Sequence, residues 1–423
     1  MSTKAAPLIH ERCGTVRSSW RLGHDASTVE QQALRRGGAN TTSFRLLLWQ
    51  AFANLFLPEG FPQSVSADYA RYQVFDTIQA LCSSVTGTLS TRAILHGVGV
   101  GEAEATVLGG TLQWVVRDGS GMLGRILFAS VVASDLDNDA KRWRLAADVT
   151  NDVALLLEIF SSHLPRAYFL PIVILAGLFR AVTAVAGGAT RASLTQHFAT
   201  RKNTADVAAK DGSQETAVNL IGMFLGMFVA SAVPETFQAT AVVVLCVTAL
   251  HLVSNYWGVR SLILNHLNEE RLLHCVAGFR RSGAKGAVPT PAEMKDIEGV
   301  LTRLPRPLAV QLGAAYASVV RRQPSAAARE ALVAPAAIAG LRANRFLSVQ
   351  TATAGRGGAK AAAVLLTTAA TPVDVLRGYW DALSLVDPAC DGPAFERFLA
   401  ALRVAGWQLD RVQLRVGDWR VEE

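Results

Sequence analysis

The sequence predicts a mainly α-helical protein, in which a multi-helix integral membrane domain precedes a small α+β C-terminal module. Two observations carry the first part. Half of the 423 residues are hydrophobic and only 18% are charged, against about 25% charged in ordinary soluble proteins, and the mean hydropathy is +0.26. Two uncharged runs, AVNLIGMFLGMFVASAV (residues 217–233) and FQATAVVVLCVTALHLVSNYWG (residues 237–258), are separated only by Pro234, Glu235 and Thr236. A third observation carries the second part. Beyond residue 343 the pattern changes to short alternating segments and amphipathic helices, ending in DRVQLRVGDWRVE with a period of two, as strands require.

In chain order, residues 1–43 read as a flexible tail. Six bases there (Lys4, Arg12, Arg17, Arg21, Arg35, Arg36) are offset by Glu11, Asp25 and Glu30, and the segment lacks both the apolar core of a secretory signal and the acid-poor composition of a transit peptide. The helical domain is expected over 44–279. It opens with a turn, because Pro58, Gly60 and Pro62 interrupt any helix, and a helix follows from about Val65 with Ser64 as its N-cap. Three apolar stretches come next, each interrupted by charge: 77–101 by Arg92, 105–133 by Arg117, Asp118 and Arg125, and 168–189 by Arg180. Runs of this kind stand at the border between spanning helices and buried core helices.

The pair 217–233 and 237–258 is less equivocal. The second run is long enough to cross a hydrocarbon core of about 30 Å, ends in Tyr256 and Trp257, and forms a helical hairpin with the first. Arg201 and Lys202 precede the hairpin, and Arg260, Arg271, Arg280 and Arg281 follow it. The turn therefore faces away from the cytosol or its equivalent. Gly222 and Gly226 form a GxxxG spacing that lets helices approach closely. Residues 280–342 read as a linker with amphipathic helices, and 343–423 as the α+β domain, with Thr371, Pro372 and Asp374 starting a helix.

Several function classes are excluded by what the residues lack. The five cysteines are scattered without a CxxC pair, so neither a disulfide framework nor a zinc site is expected. The net charge of +7 comes without a basic stripe, a zinc finger or an RNP-like motif, so no nucleic-acid partner is expected. An anionic lipid surface accounts for it better. HGVGVGEAEA (residues 96–105) has a dinucleotide-loop spacing but no βαβ unit around it. No HxH, HExxH or Ser, His, Asp constellation is present, and the expectation is a protein that is not an enzyme and holds no metal or cofactor.

Candidate binding residues fall in three groups. Asp68, Tyr72 and Asp76 recur at four-residue spacing, placing two carboxylates and a phenol on one helix face; that face either lines a cavity or locks the helix to its neighbours. Arg92, Arg125, Arg180 and Arg191 lie within or beside apolar segments, with Asp118, Asp152, Glu158, Asp211 and Glu215 as complementary acids. Charges in such places turn toward a partner or a cavity, and guanidinium groups bind phosphate or carboxylate through paired donors. Finally, KDGSQET (Lys210, Asp211, Gly212, Ser213, Gln214, Glu215, Thr216) reads as the opening of the apolar helix, whose backbone donors suit either an anion or a cap. A faint internal echo pairs STRAIL (90–95) with ATRASL (189–194) and RDGS (117–120) with KDGS (210–213). Repeats of this sort place binding sites at their interface in transporters.

Four motifs taken together, LFLPEGFPQSVSADYARYQVFD (55–76), WVVRDGSGMLGRILFA (114–129), DVTNDVALLLEIFSSHLP (148–165) and GATRASLTQHFATRKNTADVAAKDGSQETAVNLIG (188–222), resemble the root UVB sensitive (RUS) family in both content and order. The resemblance covers about 55–257. It implies a link to vitamin B6 homeostasis, UV-B response and auxin transport, and members acting together in complexes, so self-association or association with other family members is an expected partnership beside the lipid bilayer. Two functions fit: a membrane protein that binds or transports a small anionic molecule, and a non-catalytic membrane scaffold whose C-terminal module recruits a protein partner.

Overall fold

The computed structural model describes residues 8–13, 16–22, 29–32, 44–99, 107–234, 236–302, 304, 308–351, 361–385, 390 and 392–422. It divides into two compact units, Met1–Ser66 with Ala199–Ser213, and Ala67–Phe198 with Gln214–Glu423. Most of the glycine-rich 96–105 segment and Glu235 of the hairpin turn lie outside the described residues.

In the first unit, β1 (Leu8–Cys13), β2 (Val16–Leu22) and β3 (Val29–Gln32) form an antiparallel sheet in the order β1-β2-β3. The segment read as a flexible tail thus holds paired strands, whose ladder satisfies backbone groups that a tail leaves to water. After α1 (Phe44–Phe56) the chain turns, and the turn is fastened to the TRKNTAD segment. Val65 bridges Ala199, Asn203 Nδ2 donates to Ser64 O at 3.2 Å, and the Glu59 amide donates to Asp206 Oδ2 at 2.8 Å. Two motifs separated by about 140 residues are therefore one structural piece. These contacts also correct the expected helix start, since Ser64 is buried in the turn and caps no helix.

The second unit begins with six long helices, of which α6 also runs through residues of the first: α2 (Tyr69–Gly97), α3 (Val107–Leu136), α4 (Ala140–Ser161), α5 (Arg166–Phe198), α6 (Thr204–Ala232) and α7 (Phe237–Ser261). Helix α4 packs on α5, α2 and α7, while α3 packs on α5 and α2 on α7. Small residues set the closest crossings. A Cβ at Gly177 of α5 would lie 3.2 Å from Arg117 O on α3, and one at Gly222 of α6 would lie 2.5 Å from Ser84 Cβ on α2. The expected GxxxG thus seats α6 on α2. Helices α5, α6 and α7 are long and apolar enough to cross a membrane. They and α3 leave large apolar side chains exposed, including Ile126, Leu127, Val131, Ile221, Phe224, Phe228, Val242 and Leu245, a pattern that water penalises and lipid does not. The echoed segments all lie inside helices, STRAIL in α2, RDGS in α3, ATRASL in α5 and KDGS in α6.

From Leu262 onward the chain builds the α+β module: β4 (His266–Asn268), α8 (Glu269–Ser282), α9 (Pro291–Ile297), β5 (Ala309–Leu312), α10 (Tyr316–Arg321), α11 (Ala326–Val333), α12 (Pro335–Asn344), β6 (Phe346–Thr351), β7 (Ala361–Leu366), α13 (Pro372–Ser384), α14 (Gly392–Val404) and β8 (Gln408–Gln413). One sheet has the order β5-β7-β6, with β7 parallel to β5 and antiparallel to β6; a second pairs β4 with β8 in parallel. Every residue of β7 is buried, as expected of a central strand covered on both faces. Thr371 caps α13 through a capping box with Asp374, as its sequence predicts. The segment 280–342, read as a linker with amphipathic helices, holds α9 to α12 and β5, and the module's core reaches back before it. Leu272, Cys275, Val276 and Phe279 form the apolar stripe of α8 and share a core with Trp380, Phe395 and Phe398 from α13 and α14, and β5 completes the larger sheet. The i, i+3, i+4, i+7 spacing on α8 carried this signal; the Gly and Lys content after it obscured it.

An ion cluster fastens the module to the helices. Glu298 receives Lys141 Nζ of α4 at 2.8 Å and Arg271 Nη2 of α8 at 3.0 Å. Burial opposes ionisation of Glu298, but Arg271 and Lys141 outweigh it and hold the carboxyl at about 2. Burial also pushes Lys141 down and, with the charge of Arg271 next, lowers His266 to about 2. Beside this cluster, Arg142 pairs with Glu270 at 2.5 Å and donates to Gly299 O and Thr302 O at 2.9 and 2.6 Å.

Candidate functional site

Helix α4 carries three buried carboxylates, Asp148, Asp152 and Glu158, along one stretch of its length. Helical periodicity brings Asp148 and Asp152 one turn apart, and the surrounding helices answer each acid with a polar group. Asp148 accepts from Gln79 Nε2 of α2 at 2.7 Å and from Asn255 of α7. Asp152 meets His251 Nδ1 of α7 at 2.8 Å. Glu158, fully buried, accepts from Arg117 Nη2 of α3 at 2.9 Å, from Arg180 Nε of α5 at 3.0 Å, and from Ser90 Oγ of α2 at 2.5 Å, with Arg180 Nη2 closing a bidentate pair. Two guanidinium groups around one carboxylate leave a net charge of about +1 there.

That excess borders an open cleft of ≈ 1360 Å³. Its walls come from α2 (Thr88, Arg92, Leu95), α3 (Arg117), α5 (Arg180) and α6 (Asn219, Met223, Met227), and it ends at Val233 and Pro234. Three arginines and no carboxylate appear among the described lining residues. A smaller cavity of ≈ 160 Å³ shares Arg92 and Val233 and adds His96, Ser162 and His163. Each guanidinium has five donors, so Arg117 and Arg180 can hold Glu158 and bind a further anion together. The mixture of apolar wall and few charged groups is that of a small-molecule site.

Of the residues singled out from sequence, Arg92 and Arg180 line this cleft and the others lie elsewhere. Asp68 is buried, accepting from His197 Nε2 at 2.9 Å and from the Ile263 amide at 2.7 Å. Tyr72 packs its ring 5.2 Å from that of Phe198, and Asp76 pairs with Arg144 Nη2 at 2.9 Å. The shared helix face of these three exists, and it holds α2 to α4, α5 and the segment after α7. Asp118 and Arg125 are exposed on α3. Arg191 pairs with Glu215 at the surface, each about two-fifths exposed. Because α6 starts at Thr204, KDGSQET lies within the helix, and its backbone amides serve helical hydrogen bonds rather than an anion. Lys210 donates to Asn54 O, Ser213 Oγ to Ala209 O at 3.0 Å, and Gln214 Nε2 to Tyr69 Oη at 3.4 Å; Asp211 is half-buried nearby. Among the described residues, no three or more His, Cys, Asp or Glu side chains are grouped to hold a metal ion.

Sequence reasoning did name Arg92, Arg180, Asp152 and Glu158, and it marked Arg117 as an interruption of α3, without linking them. It missed Asp148, His251 and Asn255. The signal was available: Thr248, His251 and Asn255 recur every three to four residues in a run that counts as uncharged only because histidine is taken as neutral.

A family model described as a vitamin B6 photo-protection and homoeostasis domain matches residues 44–283, and one described as the C-terminal region of root UVB sensitive proteins matches residues 380–423. The chain is similar to protein root UVB sensitive 3 of Arabidopsis thaliana, 38% identical over 395 residues covering 88% of this chain and 86% of the relative. It is 43% identical to RUS family member 1 of Dictyostelium discoideum over 277 residues, 65% of this chain but only 52% of that relative. It is 31% identical to protein root UVB sensitive 2, chloroplastic, of Arabidopsis thaliana over 60% of this chain and 57% of that one. No solved structure matches.

Proposed function

This chain belongs to the root UVB sensitive family, and on that premise we propose that it is a non-catalytic integral membrane protein that binds, and passes across the bilayer, a small organic anion held in the arginine cleft. One observation carries the reading: Arg92, Arg117 and Arg180 line one cleft among apolar helices, without a lining carboxylate among the described residues. Charges in such surroundings are expensive unless they meet a partner, and Glu158 compensates one of the three. Helices α5, α6 and α7, each long and apolar enough to span, supply the membrane setting. The vitamin B6 description of the matching domain points to a phosphorylated pyridine. Its phosphate suits guanidinium forks, and its ring suits the thioethers of Met223 and Met227.

The test is binding of pyridoxal 5′-phosphate to the full chain in lipid nanodiscs, by calorimetry, with Arg92→Gln as the variant. Arg92 donates to the Ala230 carbonyl, and its replacement keeps the contacts that Arg117, Arg180 and Ser90 make with Glu158. Loss of one charged contact should weaken binding about 10- to 100-fold, equivalent to roughly 1.5–3 kcal/mol. Equal affinity in parent and variant removes the cleft from consideration. Alkaline carbonate extraction tests the membrane setting separately, since release into the supernatant is incompatible with spanning helices.

The scaffold reading retains one specific support. Arg280, Arg281 and Arg397 surround a depression of ≈ 610 Å³ beside Phe279 on the module, a surface suited to an acidic peptide. Arg281→Glu with Arg397→Glu is the clean probe, because deleting residues 343–423 would strip the shared core of α8, α13 and α14.

A further inference from the structure

The polar layer between α2, α4 and α7 is not used by the cleft. Its centre is the pair of Asp152 and His251, whose side chains are 5% and 1% exposed and 2.8 Å apart. Because a carboxylate only accepts, His251 Nδ1 carries the hydrogen and Nε2 presents a lone pair. Among the described residues Nε2 has no hydrogen-bond partner, and the same is true of Thr248 Oγ1 and Asn255 Oδ1. These three atoms belong to one buried face of α7, at spacings of three and four residues. Leaving a buried polar atom unmatched costs about 1–3 kcal/mol, so three on one face is a feature that packing alone would remove. His251 lies roughly 21 Å from the start of α7 and 15 Å from its end at 1.5 Å per residue, well inside the apolar span.

The charges around the pair favour a cation. From α2 come Asp76, with Tyr72 near Arg144 and Cys82 near Asp152; from α4 come Arg144, Asp148 and Asp152; from α7 comes His251 itself. Asp152 accepts directly from the ring and Asp148 lies one turn away against Asn255, so negative charge adjoins the imidazole. A donor set of one imidazole nitrogen, one hydroxyl and one amide oxygen around a carboxylate-backed ring matches a proton arriving through water. We propose that Asp152 and His251 form a proton-binding site within the membrane span, at which Nε2 takes up a proton while Nδ1–H stays on Asp152. The added charge then sits against the Asp152 carboxylate. Thr248 and Asn255 are positioned to hold the water that delivers it. Ionisable groups in this setting serve as proton relays in pumps and transporters, and the site stands whether or not the cleft takes the anion proposed above.

The test uses no ligand. The full chain with ¹⁵N-labelled histidine is placed in lipid nanodiscs, and nitrogen resonances are followed from about pH 8 to about pH 5, the interval in which imidazoles ordinarily titrate. His251→Gln identifies the His251 signals among those of the eight histidines; if that variant does not fold, the signals most displaced by Asp152→Asn identify them instead. The expected result is a reversible move of the His251 signals from the neutral to the imidazolium range in folded protein, lost in Asp152→Asn. Signals that remain neutral until the protein unfolds make the pair a structural lock and overturn the proposal. A response to added sodium at constant pH, without a response to pH, also overturns it in favour of a metal-cation site.

Discussion

Replacing Glu298 with glutamine should loosen the junction between the helical domain and the module, by an amount the geometry fixes. The buried carboxylate meets Lys141 at 2.8 Å and Arg271 at 3.0 Å. Its carboxyl is displaced from 4.5 to about 2, and at 1.36 kcal/mol per unit the folded state gains roughly 3 kcal/mol from its ionisation. Removing one partner of a buried ion pair costs about 3–5 kcal/mol, which agrees. Because the folded value is depressed, this contribution is present above pH 4.5 and is lost as the pH falls through about 2. Glutamine leaves Lys141 and Arg271 as two buried cations without a carboxylate. Adding Lys141→Met to Glu298→Gln should therefore restore about 1 kcal/mol or more. The assay is denaturant unfolding of the full chain in nanodiscs, followed by tryptophan fluorescence across that acid range. A Glu298→Gln protein within about 0.5 kcal/mol of its parent, or a double variant no more stable than Glu298→Gln alone, would refute the assignment of this cluster as the fastening.

His266, held at about 2 by burial and the charge of Arg271, stays neutral while the unfolded chain takes up a proton below about pH 6.5. Stability should thus decline as the pH falls from 6.5 to 4.5, before the Glu298 contribution begins to be lost, and His266→Gln should flatten that part of a melting-temperature profile. A leucine at Gly226 places its Cβ 2.7 Å from Thr88 Cβ, so Gly226→Leu should cost about 1–3 kcal/mol and weaken ligand binding in the cleft. Gly212→Ala on the same helix, with open space around it, should be neutral or stabilising by up to about 1 kcal/mol in the same melting assay. Gly313 has φ +63°, and a Cβ there would stand 2.4 Å from Gly417 O. Alanine at 313 should therefore destabilise the module by more than 1 kcal/mol or so, read as a drop in its unfolding midpoint.

The helical class, the succession of α6 and α7 and the capped start of α13 were legible because each depends on local pattern: apolar run length, an interrupting Pro234, and Thr371 three residues before Asp374. The role of residues 262–342 was not, since α8 earns its place in the module core only through residues of α13 and α14 more than 100 positions away. The same limit applied to the site. Arg92, Arg117 and Arg180 are separated by 25 and 63 residues, and their convergence follows from how α2, α3 and α5 pack. KDGSQET misled for a different reason. Its Gly212 and polar residues have the composition of a helix opening, yet Asn203 and Thr204 upstream start the helix two turns earlier, and the polar group ends up along its side.

The parallel pairing of β4 with β8 has a consequence for how the protein is made. His266–Asn268 follows directly on α7, but its partner Gln408–Gln413 leaves the ribosome roughly 140 residues later, about 7–30 s at ordinary elongation rates. During that interval the apolar helices have emerged and can enter the bilayer, whereas β4 offers an open edge to any chaperone or neighbouring chain. The smaller sheet therefore cannot close until every one of the long helices has been synthesised, so the pairing of β4 with β8 orders the assembly of the module after that of the helical domain.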